Sequence, residues 1–238
     1  MILVIDAGNS RIKWAVFHGT AKCGEGAVDH ADIAALAAAW SGFTLSRAVG
    51  ASVVQPALRR RIDEQAPCPI VWIQTTDSAA GVRNHYVEPA QMGVDRWLAV
   101  LAARRLVAGD VIVASAGTAL TIESLTAEGD YLGGLIMPGY RVMLAGLAGN
   151  TARLDQPVGE WSAFPTCTGD ALETGVLEAM AGAIERARQR LAARTGRPLP
   201  PVLLSGGDAS RVVDLLASPC QIVDNLVLTG LLEVADKT

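Results

Sequence analysis

A short apolar strand that ends in a small-residue turn and then returns as a second strand occurs twice in this chain, roughly a hundred residues apart. In the first copy Ile2-Leu3-Val4-Ile5 runs into Asp6-Ala7-Gly8-Asn9-Ser10 and returns over residues 12–17. In the second, residues 110–114 run into Ser115-Ala116-Gly117-Thr118-Ala119 and return over 120–124. A continuously apolar run of this length reads as a strand covered on both faces, which calls for helices on either side of a sheet. Helical segments are expected at 31–40, 57–65, 94–107 and 168–192, with further strands at 48–54, 70–73, 133–138 and 202–204. The pattern predicts an α/β protein of two similar halves, 1–108 and 109–238, joined near Ala108-Gly109.

The chain has 238 residues, enough to bury a core without disulfides or metal staples. Hydrophobic residues make up 50% and aromatic ones only 5%, so that core must be aliphatic. Against 24 acidic residues stand 20 basic ones, a net charge of −4, which argues against a nucleic-acid partner. The one basic cluster, Arg59-Arg60-Arg61, reads as a solvated helix face. Cys23, Cys68, Cys167 and Cys220 form no CxxC pair and suit neither a disulfide framework nor a zinc site. The start of the chain lacks the charged region of a signal peptide, and no apolar run reaches the ~18–20 residues of a membrane span. A soluble, cytoplasmic protein with no membrane partner is the expectation.

Turns of small residues between strands turn backbone N–H groups outward, and such a concavity binds anions. An acid at the strand end, Asp6, could hold magnesium beside a triphosphate, and Arg11 and Lys13 share one face of the returning strand. The alternative for this pentapeptide is a plain hairpin with a solvated Asp. A third turn, Gly206-Gly207, follows Val202-Leu203-Leu204 and would let a flat ring approach the backbone. Gly93-Val94-Asp95-Arg96 opens a helix, where Asp95 is either a carboxylate that takes a hydroxyl proton or a first-turn acid that suits the helix dipole. Tyr86 reads equally as a core residue, and Thr168 as an N-cap. His18, His30 and His85 form no ligand spacing and are expected at the surface.

Together these pieces resemble the type III pantothenate kinases, a family of the acetate and sugar kinase/Hsp70/actin superfamily. The resemblance runs in order from Met1 to about Leu232, through Asp6 to Lys13, Tyr86, Gly93 to Trp97, Gly117-Thr118-Ala119, Gly133 to Gly139, Thr168 to Gly175 and Gly206-Gly207. It implies two actin-like (ribonuclease H-like) halves with a nucleotide cleft between them. It also implies transfer of the ATP γ-phosphoryl group to pantothenate, the first step toward coenzyme A. On that resemblance Asp95 matches the general base, and Tyr86, Gly93, Val94, Arg96 and Thr168 match substrate contacts. Asp6, Ala7, Gly8, Asn9, Ser10, Arg11, Ile12, Lys13, Gly117, Thr118, Gly206 and Gly207 match the ATP site, with Asp6 placing magnesium, in part through water. The resemblance further implies a homodimer.

Ser115 departs from the family, which usually carries Asp there as a ligand for an activating potassium or ammonium ion. A hydroxyl is a poorer cation ligand than a carboxylate, so this monovalent site is either weakened or completed by another oxygen. Cys167 stands where Asn is common. Two other readings compete: another phosphotransferase or phosphatase of the same superfamily, and a non-catalytic regulatory accessory protein that kept the fold.

Overall fold

The computed structural model describes residues 1–235. Its contacts divide the chain into two compact units, Met1–Leu106 together with the chain from Asn225 onward, and Val107–Asp224.

The first unit begins with the antiparallel strands β1 (Ile2–Ala7), β2 (Arg11–His18) and β3 (Ala21–Asp29). After α1 (Ala35–Trp40), β4 (Arg47–Ser52) pairs parallel to β1, and after α2 (Pro56–Asp63), β5 (Ile70–Trp72) pairs parallel to β4. The sheet order is β3-β2-β1-β4-β5. A small hairpin of β6 (Ser78–Ala79) and β7 (Val82–Asn84) then leads to α3 (Val94–Leu106). Strand alternation puts Leu3, Ile5 and Ala7 with Ile12, Trp14 and Val16 on one face, where they pack against Leu36, Trp40 and Ile62. The other face lies under α3, most of whose residues from Val94 to Ala103 are buried. A helix buried almost all round shows little amphipathic pattern, and only its last turn, Arg104-Arg105, is charged and solvated.

The second unit repeats this topology. The antiparallel strands β8 (Val111–Ala116), β9 (Ala119–Leu125) and β10 (Asp130–Pro138) lead into α4 (Tyr140–Asn150) and the 28-residue α5 (Thr168–Thr195). Then β11 (Val202–Ser205) pairs parallel to β8, and after the short α6 (Ala209–Val212), β12 (Cys220–Ile222) pairs parallel to β11. Within this unit the order is β12-β11-β8-β9-β10. Ile112, Ala114, Ala116, Leu120 and Ile122 form the inner face under Val176, Met180 and Ile184 of α5. The last helix, α7 (Leu226–Ala235), belongs to the first unit, where it packs along α3 and pairs Glu233 with Arg105. The sequence places residues 109–238 together as the second half; the contacts give everything from Asn225 onward to the first. A run such as Leu226 to Leu231 announces a buried helix but carries no signal of which sheet it will cover.

Candidate active site

Asp6 is the second-last residue of β1, opposite Lys13 of β2 and beside Ala51 of β4. The Gly8 N–H donates to the Arg11 carbonyl at 3.1 Å, closing a tight turn that leaves Asn9 and Ser10 exposed. The end of β3 holds this turn from both sides. Asp29 pairs with Arg11 at 3.0 Å, and His30 Nε2 lies 2.9 Å from the Gly8 carbonyl oxygen. His30 is half-buried, unlike the exposed His18 and His85, so the expectation that all three histidines lie at the surface fails for this one. The chain's turn after β3 carries it under the Gly8–Arg11 turn, which no local signal announces. Ala7 and Ile12 are fully buried, so any contact with a ligand at these two residues is through their backbone.

Asp6 and Asp95 face one another electrostatically within the first unit. Burial, followed by the negative charge of Asp95, pushes the Asp6 carboxyl from 3.8 up to about 7, against the opposing pull of Lys13. Asp95 opens α3, and its Oδ1 accepts from the Arg96 N–H at 2.9 Å. The side chain is therefore folded back over the helix start, and a Cβ on Gly93 would come within 2.6 Å of that same oxygen. Glycine at 93 leaves room for the acid. Arg96 is buried and donates from Nη1 to the Tyr86 hydroxyl at 2.9 Å, with its guanidinium 5.7 Å from the Tyr86 ring centre. A cavity of about 330 Å³ opens beside Gly93 and Val94, walled by Trp72, Thr75 and Met92. Arg59 stacks over Trp72 at 5.1 Å on that wall, so this member of the basic cluster is not simply solvated.

In the second unit Ser115 stands second-last in β8, the position Asp6 holds in β1, and strand register sets it between Thr121 and Ser205. Three hydroxyls thus share one sheet face where the first unit has a carboxylate and a lysine. The Gly117 N–H donates to the Ala119 carbonyl at 3.1 Å, and Thr118 at the tip is exposed. Gly206 has φ +98°, and a Cβ there would collide with the Ala116 carbonyl, so only glycine lets the β11 turn close onto the β8 turn. Gly206 and Gly207 are both exposed. Thr168 is exposed as the first residue of α5; Cys167 holds the N-cap position and makes no side-chain cap bond, which replaces the N-cap reading of Thr168.

Among the described residues no group of three or more acidic, histidine or cysteine side chains could cage a metal ion. Magnesium is commonly held by one or two carboxylates with substrate phosphates and water, so a lone Asp6 suits it. The fit rests on Asp6 itself: a carboxylate raised by burial and then by a neighbouring acid gains from a cation beside it. Among the described residues no helix is long and apolar enough to cross a membrane.

The twice-built β3-β2-β1-β4-β5 order, with a glycine turn after the first strand of each unit, defines an actin-like, ribonuclease H-like protein. Solved structures agree on the fold. One described as a Baf family transcriptional activator from Campylobacter jejuni superposes with a TM-score of 0.65 at 20% identity, covering 99% of this chain and 98% of that one. A 2-dehydro-3-deoxygalactonokinase structure from Sinorhizobium meliloti gives 0.60 at 15% identity, with 99% of each chain covered. Residues 2–190 match the type III pantothenate kinase family. A type III pantothenate kinase of Chromobacterium violaceum is 53% identical over 99% of this chain and 100% of its own length, and one of Aromatoleum aromaticum is 45% identical over 99% and 98%. The chain belongs to the type III pantothenate kinase family, enzymes that phosphorylate pantothenate with ATP in coenzyme A biosynthesis.

Proposed function

We propose that this chain converts pantothenate and ATP to 4'-phosphopantothenate and ADP with Asp95 as the general base. The observation that carries this reading is the Asp6–Asp95 pair, two carboxylates close enough for one to raise the other at the mouth of a phosphate turn. The acceptor hydroxyl oxygen bonds to the γ-phosphorus as the bond to the β–γ bridging oxygen breaks, and Asp95 takes the hydroxyl proton. Phosphoryl transfer through a loose transition state asks mainly for positioning and charge neutralisation. The backbone at the exposed Asn9-Ser10 tip binds phosphate in the first unit, and that at the exposed Thr118 tip does so in the second. Gly206-Gly207 receives the adenosine. Arg96, steadied by Tyr86, holds the anionic end of pantothenate, and Thr168 adds a hydroxyl contact. Magnesium, when bound at Asp6, neutralises phosphate charge.

The row Thr121, Ser115, Ser205 offers a monovalent cation only neutral oxygens, which supports weak potassium activation. A homodimer and a cytoplasmic location complete the reading by family resemblance. The test is ADP release coupled to a reporter, with and without pantothenate, in magnesium with sodium and then potassium. Pantothenate-dependent release is expected in both buffers with a modest gain in potassium. Release that ignores pantothenate but follows another acceptor would overturn the substrate, and an absolute need for potassium would overturn the reading of Ser115.

A further inference from the structure

Four side chains that the proposed reaction does not use meet beneath the second phosphate turn. The Tyr140 hydroxyl donates to Glu173 Oε2 in a short hydrogen bond. Arg211 lies with its guanidinium 4.5 Å from the Tyr140 ring centre, its Nη1 is 3.5 Å from Glu173 Oε1, and its Nε is 3.5 Å from Asp208 Oδ1. Glu173 and Asp208 are buried, with 6% and 9% of their surface exposed, while Arg211 is half open to water. Buried acids are costly to hold unless paired, so two of them around one arginine and one phenol form a set in which each member needs the others. Burial and then the Glu173 contact push the Tyr140 phenol up to about 12, which keeps it a donor at any working pH.

The backbone places this set. Tyr140 follows Gly139, whose N–H donates to the Thr118 carbonyl at 3.0 Å. Asp208 follows Gly206-Gly207, and its own N–H donates to the Ala116 carbonyl at 3.0 Å. The two segments thus grip the Ala116–Thr118 stretch from either side, and Glu173 of α5 ties them together through Tyr140 and Arg211. We infer that Tyr140, Glu173, Arg211 and Asp208 are a positioning network that fixes the Gly117-Thr118 and Gly206-Gly207 turns in one arrangement and so sets the affinity for ATP. The inference rests on the proposed reading that these two turns bind ATP.

The test compares Tyr140→Phe, Glu173→Gln and the double variant with the unaltered protein. Affinity for a non-hydrolysable ATP analogue is measured by calorimetry, alongside KM for ATP, KM for pantothenate, and Tm. Each single variant should weaken analogue binding by about 2–30-fold, the range by which coupled networks shift affinity, with KM for ATP rising in step. The pantothenate KM should move less than about twofold, since the network touches no acceptor contact. Tyr140→Phe removes the hydrogen bond to Glu173, and Glu173→Gln weakens both that bond and the Arg211 pair, so the double variant should lose less than the sum of the two single losses. Arg211→Lys, which keeps the charge and loses the stack, should fall between the unaltered protein and Arg211→Met. Unchanged analogue affinity in folded variants overturns the inference. So does an equal loss for ATP and pantothenate that merely follows Tm. Should the unaltered protein bind the analogue yet show no pantothenate-dependent turnover, the substrate assignment fails while the network is still read from the analogue.

Discussion

The two units share one topology and differ in the side chains at the end of their first strands. The second-last residue of the first unit's first strand is Asp6, across from Lys13, with Asp95 bearing on it; in the second unit that place is held by Ser115, between Thr121 and Ser205. One corner is charged and held against its own repulsion, the other is neutral and at rest. On the proposed reading this contrast divides the work of a repeated fold: the charged corner would take the metal and the hydroxyl proton, and the neutral corner would take phosphate and nucleoside without a carboxylate of its own. Near its turns the second unit keeps two buried acids, Glu173 and Asp208, in the network inferred above to hold those turns.

The sharpest break of this contrast is Asp95→Asn. Loss of a general base typically costs ~10²–10⁴-fold in rate, and that fall in kcat is expected here with binding of an ATP analogue kept within a few-fold. Steady-state turnover with calorimetric analogue binding checks it. Turnover within tenfold of the unaltered protein would remove Asp95 from the base role and leave it as a first-turn acid that suits the helix dipole.

Asp6→Asn tests the same corner from the side of stability. Because the folded carboxyl titrates near 7 and the unfolded one near 3.8, the folded state binds the proton more tightly. Stability from this group is fully present below about 4, declines as pH rises toward about 7, and then levels off. The Asn variant lacks that decline. Without magnesium its Tm should exceed that of the unaltered protein at pH 8 by about 2–6 °C and by less at pH 5. Magnesium-supported turnover should fall by roughly 10²-fold or more as the one carboxylate for the metal is lost. Melting curves at both pH values decide it, and a variant less stable at pH 8 would show that Asp6 is held by contacts that outweigh its burial.

These corners were legible because each turn follows an uninterrupted apolar run, a pattern that few arrangements besides a buried strand and its exit turn produce. Asp95 and Arg96 were legible because Gly93 opens an otherwise apolar helix. Edge strand β3 carries no such run: Gly24 and Gly26 break it up, and a side chain at Gly26 would meet the Trp14 ring at 2.8 Å, so the glycine serves packing. Helix α4 was missed for a similar reason, since Gly146 and Gly149 interrupt its pattern and only Tyr140 is buried. His30 and the Tyr140–Glu173–Arg211–Asp208 set join residues more than twenty positions apart, and such contacts exist only once the chain has folded.

A gentler way to sharpen the comparison is to make the second corner resemble the first. Ser115→Asp puts a carboxylate at the strand position equivalent to Asp6, among hydroxyls and without a lysine opposite. Potassium should then stimulate turnover several-fold more than in the unaltered protein, and the unstimulated rate in sodium should drop, since the new acid faces bound phosphate uncompensated. Activity ratios in matched sodium and potassium buffers read this directly. An unchanged ratio would show that no monovalent ion visits this strand end.

The smallest effect is expected away from both corners, at the β9–β10 turn. Glu128 pairs there with Arg197, which also donates to Asp110 Oδ1 at 2.8 Å, and the Arg197 hydrogen bond lowers the Glu128 carboxyl from 4.5 to about 2. The sign is opposite to that of Asp6: this group adds stability above about 4.5 that is lost as pH falls toward 2. Both partners are widely exposed, with 41% and 51% of their side-chain surface open, so water screens the pair and its worth is small. Glu128→Gln should lower Tm slightly at pH 7, lower it less at pH 2.5, and leave turnover unaltered. Asp110 behaves differently, because it is buried and also accepts from the Ala127 N–H at 2.8 Å. Its loss would strip Arg197 and the turn of their shared anchor, so Asp110→Ala should cost more Tm than Glu128→Gln at every pH above 5. Equal losses would mean that the exposed pair, not the buried acid, holds the turn.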